Sequence, residues 1–177
     1  MVDNMLGSSN IVAHTIHNTE IGTEPITDNV LHLITLKMHS LSEDTQMALK
    51  VASCFGIKVP SFIIHALSGT HQFSNLQLVM SYAVQEGYID FDGSNYRFVH
   101  DRVKQSAYDL IGSGVKDRFH FEIGMALYSC LLSQDDDKLF TVIEQINYGV
   151  PSLLNSPAQR ISIARLNYRA GQLASKR

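Results

Sequence analysis

His100 and Asp101 are adjacent, and their surroundings single them out in this chain. Before them, Tyr96-Arg97-Phe98-Val99 alternates as a short strand does, with Tyr96 and Phe98 on one face. After them, Arg102-Val103 and Ala107-Tyr108-Asp109-Leu110 have the spacing of an amphipathic helix. An imidazole at a strand-to-helix corner can be aimed at a fixed point outside its own domain. There it donates to an acceptor such as a phosphate oxygen, and its charge near neutral pH responds to that neighbour. The plainer alternative pairs His100 with a backbone group of its own domain.

Other chemistry is thin. A His/Asp acid–base pair at His100-Asp101 is a poor catalyst on its own, because neighbours in sequence rarely aim at one reacting atom. The chain has no G-x-x-x-x-G-K-[ST] loop to cradle phosphates, no H-R-D or D-F-G kinase signature and no G-x-S-x-G elbow. It is therefore expected not to be an enzyme and to hold no cofactor or metal itself. His14 and His17 stand three apart without a carboxylate or thiol partner, so metal binding there is disfavoured. Asp135-Asp136-Asp137 suits a solvated helix start better than a cation site. Cys54 and Cys130, the only two cysteines, sit in apolar helical patterns and read as buried free thiols in a reducing compartment.

A net charge of -3 argues against a general nucleic-acid binder, which needs a surplus of Lys and Arg on one face. No window approaches the roughly 18 apolar residues that span a bilayer. The expected setting is cytoplasmic, with no membrane partner.

The elements that position the corner follow from periodicity and caps. Residues 1–26 read as a poorly ordered lead-in. A helix begins near Asp28 with Val30, Leu33, Ile34, Met38 and Leu41 on its stripe, and Ser42 caps the next, whose buried row is Met47, Val51 and Phe55. Gly56 ends that helix, Pro60-Ser61 opens a third, and Ser74 opens a fourth bearing Leu76, Val79, Met80 and Ala83. A hairpin follows, Ile89 to Phe98, turning at Gly93-Ser94-Asn95. Helices followed by one hairpin are the order of a winged-helix domain, assigned to residues 27–112. Its helix before the hairpin, Asn75 to Glu86, lacks Lys and Arg, which disfavours the alternative of a DNA-binding winged-helix regulator. Residues 113–177 read as antiparallel helices of tetratricopeptide type, without a clear repeat of about 34 residues. Gly149-Val150-Pro151 is expected to end one helix, and Ser156-Pro157 to open the last. That helix runs to Arg177 without a capping sequence, so the chain is expected to stop mid-architecture. The fold class is mainly α with one β-hairpin.

Three stretches carry a resemblance. Asp28-Asn29-Val30-Leu31, with Leu41 to Gln46 and Leu49 to Gly56, resembles the region just after the nucleotide-binding core of STAND-type, AAA-related regulatory ATPases in multidomain sensor kinases. Tyr96 to Tyr108 resembles the next landmark, and Leu166-Asn167-Tyr168-Arg169-Ala170-Gly171 the entry to their helical repeats. The resemblance covers residues 27–177. It implies a non-catalytic regulatory and interaction module that couples the nucleotide state of an absent NTPase domain to a partner or kinase output. It also implies that His100 touches the terminal phosphate of ADP bound to that domain, with Asp101 capping the next helix and fixing the backbone that aims the ring. ATP and ADP belong to the larger ATPase, and its nucleotide-binding domain, or another protein, is the implied partner.

Overall fold

A computed structural model describes residues 26–131, 136–153 and 156–176. The lead-in with His14 and His17, and Asp135, lie outside them. The described chain is mainly helical with one small antiparallel sheet.

Helix α1 (Ile26–His39) leads to α2 (Glu43–Ser53) through a turn closed by Ser42, whose Oγ accepts from the Thr45 amide at 3.2 Å. Helix α1 is already helical at Ile26, two residues before Asp28, which therefore falls within its first turn. Leu33 points outward at 60% exposure, so the α1 stripe is narrower than its sequence suggests, with Met38 fully buried. Helix α2 buries Thr45, Ala48, Leu49, Val51 and Ala52, whereas Met47 is exposed. Leu49, Val51 and the small residues face the interior, and α4 and α5 pack against that side. Gly56 then takes φ +95, a left-handed value that costs glycine little.

Strand β1 (Lys58–Pro60) was not expected from the sequence, because three residues ending in proline carry no alternation signal. It pairs with the returning strand of the hairpin and turns directly into α3 (Ser61–Ser68). After α4 (Leu76–Gln85), β2 (Ile89–Phe91) and β3 (Asn95–Phe98) complete a sheet in the order β1-β3-β2. The register sets Val59 and Phe91 opposite Tyr96, and Ile89 opposite Phe98. The turn is tied by Asp92, whose Oδ1 accepts from the amides of Ser94 and Asn95 at 2.9 and 2.6 Å. Those two bonds hold its carboxyl below the usual range.

Helix α5 (Asp101–Asp109) leaves the sheet, and α6 (Lys116–Leu131), α7 (Asp136–Leu153) and α8 (Pro157–Ala174) follow. The expected stop at Gly149-Val150-Pro151 does not occur: α7 continues to Leu153. Gly149 instead serves close packing, since a Cβ there would run into the Asp117 carbonyl and come within 2.7 Å of Phe121 Cβ. Buried side chains from α1 to α8 form one continuous cluster, with Phe98, Leu49, Ile63, Ile123, Leu127 and Ile146 among its most enclosed members.

Candidate functional site

His100 is the residue at which β3 gives way to α5. Its backbone is extended (φ -156, ψ 149), and the ring folds back so that Nδ1 accepts from the Arg102 amide at 3.1 Å. The imidazole is thus the N-cap of α5, a role that sequence reasoning gave to Asp101, and at this nitrogen it makes the backbone pairing within its own domain that was the plainer alternative. Asp101 occupies the first turn instead, exposed, where the helix dipole favours negative charge. The correction is geometric: the cap needs an acceptor on the last extended residue, and that residue is His100.

The cap also fixes the tautomer. An Nδ1 that accepts carries no hydrogen, so in the neutral ring the proton resides on Nε2. The ring is exposed, and Nε2 has no hydrogen-bond partner among the described residues. The result is one N–H donor with its ring braced at the other nitrogen. Arg97, Arg102 and Lys104 lie within four residues of it, against the single acid Asp101. The corner can therefore donate to an anionic oxygen.

A second polar centre, which sequence reasoning missed, is buried where α2, α5, α6 and α7 meet. Gln145 of α7 is nearly sealed from solvent, and its Nε2 donates to the Cys54 carbonyl at 3.1 Å. That bond orients the amide, so Oε1 faces His120 of α6 and accepts from Nδ1–H at 2.6 Å. His120 Nε2 is in turn hydrogen-bonded to the Tyr108 hydroxyl of α5 at 3.0 Å. Tyr108 and Tyr148 hydroxyls are 3.1 Å apart, and the Tyr148 ring stacks on His120 with centroids 4.0 Å apart. Burial holds the His120 imidazole below its ordinary range, against the upward pull of the Gln145 bond, Asp117 and Glu144; Lys104 adds to the lowering. Burial likewise raises Tyr108, and its bond to Tyr148 adds to that. Lys116 Nζ lies 4.2 Å from the Tyr108 ring centroid. The centre has all its polar groups matched and serves as a joint. Its only sequence signal was a histidine inside an apolar stripe, with tyrosines twelve and 28 positions away, too dispersed to be assembled from spacing.

Cys54 and Cys130 are free thiols, both half-buried. Among the described residues no group of three or more His, Cys, Asp or Glu could hold a metal ion, and no helix is long and apolar enough to cross a membrane.

No protein-family model matches the chain, and no solved structure matches it. A 92-residue alignment is 28% identical to part of the hybrid signal transduction histidine kinase G of Dictyostelium discoideum. It covers 43% of this chain but only 3% of that protein, so the shared part is a small segment of a much larger molecule. The likeness hints at signal transduction and specifies no activity.

Proposed function

We propose that this chain is a non-catalytic regulatory module of a signal-transduction ATPase. In this reading residues 27–112 form a winged-helix-like domain and residues 113–177 the start of a tetratricopeptide-like stack. The module couples the nucleotide state of an NTPase domain outside this chain to a partner or kinase output. The observation that carries the proposal is the braced, outward Nε2–H of His100. A ring held at one nitrogen loses little further freedom when the other meets a phosphate oxygen of ADP held on that NTPase domain. The segment-level likeness to a hybrid histidine kinase supports the signalling context. The helix before the hairpin offers no cation for counterion release, so no salt-dependent shift of duplex DNA is expected.

The cap supplies a clean test. Asparagine is among the best N-caps, so His100→Asn keeps the α5 terminus while removing the imidazole donor. His100→Ala removes both and is expected to cost about 1 kcal/mol of stability, read as a lower urea midpoint. In a complex with the ATPase domain loaded with fluorescent ADP, both variants are expected to speed ADP release. Release unchanged in His100→Asn, with the fold intact, removes the phosphate-facing role.

A further inference from the structure

The outward face of α4 is built to meet something other than nucleic acid. Leu76, Met80 and Ala83 turn inward, which leaves Leu78, Ser81, Tyr82 and Gln85 at positions i, i+3, i+4 and i+7 on the opposite side. Leu78 is 75% exposed and Tyr82 47%. The ridge they form has an open groove on each flank. One, of about 590 Å³, lies against the α1–α2 turn and includes Asp44; the other, of about 620 Å³, lies against α3 and includes His65. Leu78 and Ser81 border both grooves.

Carboxylates outnumber cations around this ridge, where Lys37 of α1, 5.6 Å from the Tyr88 ring centroid, is the nearby fixed positive charge. Asp44 is the one fully charged residue among those that line the first groove, Glu43 precedes it, and Glu86 caps the end of α4. All three are exposed and make no ion pair among the described residues, unlike Asp92, Asp109 and Glu122, which face Lys58, Lys116 and Arg118. Helix α4 itself has no Lys or Arg. An apolar pair set between grooves and bordered by unpaired carboxylates is complementary to a cationic amphipathic protein segment. It repels DNA, phosphate and anionic lipid alike.

From this we infer that the Leu78–Tyr82 face of α4 is a docking surface for a basic amphipathic helix of a partner protein. Apolar side chains of that helix fill the grooves, and its Lys or Arg residues meet Glu43, Asp44 and Glu86. The inference is independent of the role proposed for His100.

The probe is a fluorescein-labelled synthetic helix with Leu at i, i+3, i+4 and i+7 and Lys elsewhere, set against the same peptide with Glu for Lys. Titrated with the full 177-residue chain, the Lys peptide is expected to bind about tenfold or more tightly than the Glu peptide, and to weaken with salt. Leu78→Ser with Tyr82→Ser is expected to weaken it about tenfold or more. Glu43→Gln with Asp44→Asn is expected to flatten the salt dependence. Leu33→Ser with Leu36→Ser, on the exposed side of α1, is expected to leave affinity unchanged, and circular dichroism checks that each variant folds. Equal affinity for the two peptides, absence of binding, or an equal loss from the α1 pair overturns the inference. So does a concentration-dependent dimer in sedimentation that Leu78→Ser with Tyr82→Ser abolishes, because the occupant is then a second copy of the chain.

Discussion

His120 and Cys54 show how burial sets the chemistry of single groups. The folded protein holds His120 below the ordinary imidazole value of 6.5, chiefly by desolvation. The unfolded chain therefore binds the proton more readily, and stability must fall as pH drops from about 6.5 toward the folded-state value. Above 6.5 this contribution is constant. Gln145, Tyr108 and Tyr148 touch the ring, Asp117, Glu144 and Lys104 act on it through space, and over that interval folding resists its proton uptake. Urea midpoints are expected to stay nearly level from pH 7.5 to 6.5 and to fall by pH 5.5, and His120→Gln is expected to be less stable throughout but with a flatter fall. An equal decline in the variant would assign the pH dependence to other groups. Cys54 is the parallel case: burial pushes its thiol up to about 12, so at pH 8 only about one molecule in ten thousand carries the thiolate. Iodoacetamide is expected to leave Cys54 unmodified in the native protein and to alkylate it fully in urea, as read by peptide mass mapping.

At the scale of elements, glycines have two opposite roles. Gly124 lies where α6 meets α7, and a Cβ there would come within 2.7 Å of Ile146 Cγ1 and of its backbone nitrogen. Backbone cannot step aside as a side-chain end can, so Gly124→Ala is expected to destabilise the protein by about 1–3 kcal/mol. Gly171 in α8 faces open space, with nothing within 4 Å of a built Cβ. Gly171→Ala there is expected to add about 0.5–1 kcal/mol, because alanine loses less backbone entropy on entering a helix. Thermal melts of the two variants therefore move in opposite directions. The same contrast explains what could be read from the chain. Ser42, Gly56 and the Gly93-Ser94-Asn95 turn act locally, and their signals predicted the boundaries they set. Gly149 carries the same letter as Gly56, but its role is decided by α6, some thirty residues away, and so it was misread as a stop. Strand β1 is likewise defined by its partner and not by its own three residues. The strand-to-helix corner was legible because strand and helix are contiguous, although its cap was placed one residue late; the Gln145–His120–Tyr108 joint was not, because its members come from four elements.

That joint bears on the whole molecule. Apart from the chain crossing from α5 to α6, several contacts hold the helical hairpin α6–α7 to the sheet-bearing part, the Lys116–Asp109 ion pair at 3.3 Å among them. Polar bonds run from Gln145 directly to the Cys54 carbonyl and through His120 to Tyr108. Lys138 Nζ of α7 lies 5.2 Å from the ring centroid of Phe62 of α3, and the amide of Gln72 donates to Glu122 at 3.3 Å. Beneath these, the buried cluster is continuous from α1 to α8. A core shared in this way leaves neither part with an apolar face it can bury alone, so the protein is expected to unfold in one transition. With no tryptophan in the chain, near-ultraviolet circular dichroism reports the tyrosines, two of which, Tyr108 and Tyr148, sit at the joint, while the far-ultraviolet signal reports all helices. Coincident midpoints are expected from the two signals. Gln145→Ala strips the partners from the His120 Nδ1–H and the Cys54 carbonyl, an expected loss of about 1–3 kcal/mol. Both midpoints should fall together, because the apolar cluster still crosses the junction when its polar clasp is gone. If the near-ultraviolet signal of the variant melts ahead of the far-ultraviolet one, the clasp rather than the shared core makes the molecule a single cooperative unit.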